Sequence, residues 1–140
     1  MPDGSSCVFC RIVAGELPCM KLLEDADCLS FLDIGPLAEG HLLLVPKQHY
    51  EWLDQMPAEH VARLAQHLPR LGRALVRAVR CQGYNVLQNN GRVAGQAVGH
   101  VHFHVIPRVA GDGLGYRWPA GQYAEGRAES VYKSLLAHLT

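Results

Sequence analysis

Apolar and polar positions alternate in short blocks over the first third of the chain. "KLLED" (21–25) and "CLSFLD" (28–33) carry the dense apolar pattern of short strands, and the polar run Glu24-Asp25-Ala26-Asp27 between them reads as a turn. "HLLLVP" (41–46) predicts a third strand, stopped at Pro46 because proline supplies no ladder N–H. Beyond it the period changes. From Pro57 to Arg80, Val61, Leu64, Leu68, Leu71, Leu75 and Val79 recur at helical spacing, which predicts one long helix with Pro57 in its first turn and a kink at Pro69. Arg70, Arg73, Arg77 and Arg80 share a side of that helix and read as its solvated face, an anion-binding stripe being the alternative. "GYNVLQNNGRVAGQAVGHVHFHVIP" (83–107) gives two further strands around a Gly/Asn-rich loop, and Ala128, Val131, Leu135, Leu136 and Leu139 mark one face of a final helix. Strands and helices fall in blocks, so the expected class is α+β with a mainly antiparallel sheet. No repeat or linker interrupts the pattern, and residues 1–140 are expected to form a single domain.

With 140 residues, 49% of them hydrophobic, the chain can fill a sizeable core. Thirteen basic and thirteen acidic side chains cancel, which argues against general nucleic-acid or anionic-membrane binding and for a small-molecule partner. "MPDGSSCVFC" has no extended apolar region, and no later stretch is long and uncharged enough to span a bilayer. The expected location is the cytoplasm. Five cysteines, an odd number, then point to reduced thiols or a metal site rather than a disulfide framework.

The candidate chemistry lies in "HVHFHVIPR" (100–108). Side chains alternate across a strand, so His100, His102 and His104 should line one face at ~7 Å intervals while Val101, Phe103 and Val105 pack on the other. A neutral imidazole is nucleophilic near pH 7, and an imidazole neighbour can hold an anion or assist a leaving group, a combination suited to phosphorus chemistry. The preceding "QNNGRVAGQ" supports that reading, because Asn amides and backbone N–H groups freed by Gly91 and Gly95 can surround phosphate oxygens. Alone it would read as an ordinary turn. A single catalytic ion held by His100, His102 and His104 together is a further alternative, disfavoured because same-face residues on an intact strand do not readily converge.

His100-Val101-His102-Phe103-His104-Val105-Ile106 matches the motif His-φ-His-φ-His-φ-φ, with φ apolar, and so resembles the histidine triad (HIT) hydrolases. "CVFCRIVAGELP", "CLSFLDIGPLAEGHLLLVPKQH" and "GYNVLQNNGRVAGQ" are similar to other blocks of that family, in the family's order. The resemblance implies a HIT-like fold of about five antiparallel strands with flanking helices, usually a homodimer, acting on nucleoside phosphoramidates or other nucleotidyl conjugates. It makes His102 the nucleophile that forms a covalent nucleotidyl-imidazole, His104 the phosphate and leaving-group contact, and His41 the supporting fourth histidine. Asn89, Gly95, Gln96 and Ala97 correspond to phosphate and ribose contacts, and Asp33 to the acid that accepts the ribose hydroxyls. Phe9, Ile12, Phe31 and Ile34 would form an apolar slot for a purine base, although from the residues alone each reads rather as plain core. Some members carry a hydroxyl residue at the position of Ala97, near the leaving group.

Cys7 and Cys10 form a C-x₂-C pair, which suits either two buried thiols or half of a zinc site. The resemblance implies that His49 and His100 complete it, holding one structural zinc per chain. Cys19, Cys28 and Cys81 belong to no motif and are expected in the core. Tyr116, Trp118 and Tyr123 either border the leaving-group pocket or pack under the last helix. A protein of another class, a nucleotide-binding regulator with negligible turnover, remains the rival reading.

Overall fold

The computed structural model describes residues 6–115 and 119–139. Five strands, β1 (Lys21–Glu24), β2 (Cys28–Leu32), β3 (Leu42–Pro46), β4 (Gly83–Gln88) and β5 (Phe103–Arg108), form one sheet in the order β1-β2-β3-β5-β4. Every neighbouring pair is antiparallel, as the α+β expectation required. Helices α1 (Val8–Val13), α2 (Ala58–Ala65), α3 (Leu68–Val79) and α4 (Arg127–His138) complete the fold. No helix among the described residues is long and apolar enough to cross a membrane.

Side-chain alternation covers both faces of the sheet. Cys28, Leu42, Leu44, Val101 and Val105 point toward Leu64 of α2 and toward Leu71 and Leu75 of α3. On the other face Leu29, Phe31, Leu43 and Val45 pack with Phe9 of α1. The β2–β3 register, Leu29↔Val45 and Phe31↔Leu43, places like with like, and a shift of one residue would turn both rows to the wrong side. Ser30, fully buried within this pair, donates its hydroxyl to Leu43 O at 2.7 Å.

The single long helix expected over 57–80 is two helices. Pro69 lacks the N–H that would have bonded the Ala65 carbonyl, and its ring crowds that carbonyl, so α2 stops at Ala65 rather than bending. Pro69 then occupies the first turn of α3, where no intrahelical donor is needed. Arg70, Arg73, Arg77 and Arg80 are all exposed, as a solvated face requires.

The strand predicted from His100 onward begins only at Phe103. Continuing the β3–β5 register would set Pro46 opposite Val101, and Pro46 has no N–H to give; Val101 N instead bonds Tyr50 O at 2.7 Å. Cys28 and Cys81 are core thiols, whereas Cys19 is only half-buried, and all five cysteines are free. The apolar stripe of α4 is uncovered among the described residues, with Leu135 61% and Leu139 77% exposed.

Gly40 adopts φ +103°, and a Cβ there would lie 3.0 Å from both Leu75 Cδ1 and Val79 Cγ1. Left-handed strain and the close approach to α3 act together, so Gly40→Ala should cost ~1–3 kcal/mol of unfolding free energy in urea. Gly35→Ala, in the same loop but with only an ordinary 3.7 Å contact, should stay within ~0.5 kcal/mol.

Candidate active site and metal centre

His100 is fully buried, and Nε2 sits 2.8 Å from Pro46 O. A carbonyl only accepts, so the His100 proton is on Nε2 and its Nδ1 carries a lone pair. That lone pair faces Cys7 Sγ (3.4 Å), Cys10 Sγ (3.6 Å) and His49 Nδ1 (3.1 Å). Cys10 Sγ is also 3.3 Å from His49 Nδ1. The two thiols meet because Cys7 caps α1, its sulfur accepting from Cys10 N at 3.4 Å. The four donor atoms lie within 4.8 Å of one another. This convergence of two sulfurs and two imidazole nitrogens fits a soft or borderline divalent cation. In the bare cluster burial pushes the Cys10 thiol up to about 11, with the neighbouring Cys7 adding to the effect; a cation between the sulfurs acts in the opposite sense.

The remaining imidazoles take their proton positions from the backbone. His102 Nδ1 lies 2.7 Å from His100 O and must donate to it, which leaves the His102 Nε2 lone pair free. Leu37 N donates to His41 Nδ1 at 3.1 Å, so neutral His41 carries its proton on Nε2. That Nε2 is 2.9 Å from His104 Nδ1 and 3.6 Å from Asp33 Oδ2. Accepting at Nδ1, His104 keeps its own proton on Nε2. The site thus presents one free lone pair, on His102, beside one free N–H, on His104, with ring centroids 4.8 Å apart. The chain of contacts also separates the three triad rings: His100 joins the cysteines and His104 joins His41, so they do not converge on one ion.

Burial keeps these rings uncharged. It lowers His41 and His102 below the ordinary imidazole range, and it takes His104 to about 4, with the neighbouring His102 and His41 adding to the shift.

A cleft of about 340 Å³ opens over His102 and His104. Of the residues expected at the substrate, it is lined by Phe9, Ile12, Phe31, Asp33, Ile34 and Ala97 together with the two histidines. Its apolar end is set by Phe9 and Phe31, which pack edge to face with centroids 5.7 Å apart; Ile34, 93% exposed, stands at the rim. Asp33 Oδ1 accepts from Gly35 N at 2.8 Å, which fixes the carboxylate at the end of β2. Asn89 and Gly95 lie together outside the lining, Asn89 Nδ2 donating to Gly95 O at 3.4 Å. Gln96 is buried with its amide fully committed, Nε2 donating to Glu51 O and Oε1 accepting from Gly91 N, both at 2.7 Å. It braces the loop and turns no side-chain group to the cleft. Tyr123 is exposed, and Tyr116 and Trp118 lie outside the described residues. The sequence reading missed Pro18, Cys19 and Val98 in the cleft wall, and the Leu37 amide behind His41. Only the closeness of Leu37 to His41 in sequence hints at the last of these.

An antiparallel sheet that presents neutral imidazoles, their protons fixed by main-chain groups, to a carbon-lined cleft defines the histidine triad class of protein. The HIT domain matches residues 14–111, and the chain belongs to the HIT domain family. An adenosine 5′-monophosphoramidase of Candida albicans is 45% identical over 125 residues, covering 86% of this chain and 82% of that protein. Among solved structures, a HIT family member from Bacillus subtilis aligns at TM-score 0.91 and 35% identity over 97% of this chain and 99% of its own. A zinc-bound histidine triad protein from Mycobacterium smegmatis aligns at TM-score 0.74 and 38% identity, over 96% and 95% of the two chains.

The half-buried, neutral His104 sets a sign for stability against pH. Its folded-state value, about 4, is below the ordinary 6.5, so between these values the unfolded chain binds more protons than the folded one. The stabilisation is complete above about 6.5 and is lost as pH falls toward about 4. Urea midpoints measured across this interval should therefore drop steadily, and His104→Gln should flatten the decline.

Proposed function

We propose that this protein hydrolyses nucleoside 5′-phosphoramidates, releasing a nucleoside monophosphate such as AMP and an amine. The observation that carries the reading is the His102 Nε2 lone pair, freed by the bond from Nδ1 to His100 O and facing the cleft next to the His104 N–H. The phosphoramidase activity named for the C. albicans relative supports it. A purine base would lie among Phe9, Ile12, Phe31 and Ile34, and the ribose hydroxyls would donate to Asp33. The Asn89 amide and the backbone of Gly95, Gln96 and Ala97 belong to the loop that would border the phosphate.

His102 Nε2 attacks the α-phosphorus and forms a P–N(imidazole) bond. The bond from phosphorus to the amine breaks with its electron pair on the amine nitrogen, which takes a proton from solvent. His104 Nε2–H donates to the phosphoryl group as charge develops, and His41 holds His104 in the tautomer that can do so. Water then attacks the same phosphorus and gives up a proton to solvent, and His102 departs with its lone pair restored. A nucleotide-binding protein with negligible turnover would share the cleft but would never carry nucleotide on His102. His102→Ala should lower kcat by at least ~10³-fold while nucleoside monophosphate affinity stays within a few-fold. Near-normal turnover by that variant would remove His102 as nucleophile.

Cys7, Cys10, His49 and His100 would hold one zinc ion per chain. Four protein ligands close a tetrahedral sphere, so the ion supplies cross-linking and charge rather than an activated water. It would tie α1 to the segment that leads into β5. Purified protein should contain about one zinc per chain, measured by elemental analysis. Cys10→Ser should lose it, and melting temperature should fall further than the initial rate at low temperature. Absence of zinc from protein prepared without chelators, with all thiols titrating freely, would refute the site.

A homodimer is part of the same reading, supported by exposed apolar side chains on α4 such as Leu135, Leu136 and Leu139. Five free cysteines suit a reducing compartment such as the cytoplasm.

A further inference from the structure

A second cavity, about 430 Å³, adjoins the cleft over His102 and shares Val8, Ala97 and Val98 with it. Its other lining residues are Ser6, Cys7, His49, Glu51 and Gly99. Ala97 faces both spaces, and it presents a methyl group with no hydroxyl to engage a ligand that extends from one to the other. With a nucleoside on the apolar side of the cleft, between Phe9 and Asp33 as proposed above, a group leaving the phosphorus would have this second cavity within its reach.

Among the described residues the charge in that cavity has one sign: Glu51 is the one carboxylate that lines it, no lysine or arginine does, and Glu51 makes no ion pair. Two thiolates and a divalent cation sum to zero, so a metal held by the neighbouring cysteines and histidines would leave the Glu51 charge as the net one. Its location is also built rather than incidental. The Glu51 carbonyl accepts from buried Gln96 at 2.7 Å, and the preceding Tyr50 carbonyl accepts from Val101 at 2.7 Å. Glu51 N in turn donates to Gln55 Oε1 at 3.0 Å. These bonds fix the 50–51 backbone against the loop that carries Ala97 and against the run that carries His102.

We infer that the cavity beyond Ala97 is a leaving-group subsite selective for amines that bear a second positive charge, which Glu51 receives. The substrates it fits are nucleoside phosphoramidates of diamines and of similar dicationic amines, attached through one nitrogen and protonated at the other. The inference rests on the phosphoramidase reading, and the bond made and broken is the one described there. Glu51 contributes attraction to the part of the substrate that departs; it takes no proton.

The test compares three adenosine 5′-phosphoramidates of similar length, made from cadaverine, hexylamine and aminohexanoate, so that the far end is cationic, neutral or anionic. At low salt the wild-type protein should turn over the cadaverine conjugate with kcat/KM roughly 3–5-fold above the hexylamine conjugate, and the aminohexanoate conjugate below both. The spread should narrow as salt is added. Glu51→Gln should abolish the preference while leaving the hexylamine rate within about twofold, and Glu51→Lys should move it toward aminohexanoate. A purely structural Glu51 would change all three rates together. Equal wild-type rates, or a preference that survives in Glu51→Gln, would overturn the inference and leave the hydrolase standing. No turnover of any conjugate would overturn the phosphoramidase reading itself.

Discussion

The bond from His100 Nε2 to Pro46 O is the constraint on which the rest of the site depends. It fixes the proton on one side of a fully buried ring and so commits the other nitrogen to the two cysteines and His49. The main-chain oxygen of the same residue accepts from His102 Nδ1, which is what frees the Nε2 lone pair. One residue therefore serves the Cys7–Cys10–His49 cluster with its side chain and His102 with its backbone. Displacing it would disturb both, although the two sites share no other donor atom.

A similar economy runs along the second half of the site. The Leu37 amide, a donor that cannot change role, determines His41, and His41 determines His104. No carboxylate is needed to orient the rings, because each takes its direction from a main-chain group or from a ring already oriented. Burial makes this possible by keeping His41, His102 and His104 neutral, so that each has one donor and one acceptor nitrogen. Asp33, 3.6 Å from His41, lies close enough to bias the cluster electrostatically and still turns toward the cleft.

Much of this was legible in the chain. The five strands follow from dense apolar runs ended by Pro46, Asp33 or glycines, and the alternation of His100, His102 and His104 with Val101 and Val105 marks two faces that the structure does cover separately. The C-x₂-C pair is legible as a local turn, but the approach of His49 and His100 is a tertiary fact that no spacing encodes. Helical periodicity runs without interruption through Pro69, because the two helices that Pro69 separates still bury the same side; periodicity reports the buried face, and only the missing N–H reports the break. Gln96 corresponds by family resemblance to a phosphate or ribose contact. Its amide closes two backbone gaps instead, a use that depends on where Glu51 and Gly91 come to rest.

The order β1-β2-β3-β5-β4 has one further consequence. Strand β5, the last of the five along the chain, enters between β3 and β4, both of which are made before it. A chain emerging from the ribosome holds two separate strand sets with open edges until residue 108 is available, and the histidines arrive with the strand that joins them. No shorter nascent piece holds the continuous five-stranded sheet, and His104 lies within the joining strand. Assembly of the imidazole cluster and completion of the hydrogen-bonded framework thus become a single event, so a chain that lacks that strand holds His41 without the ring it pairs with.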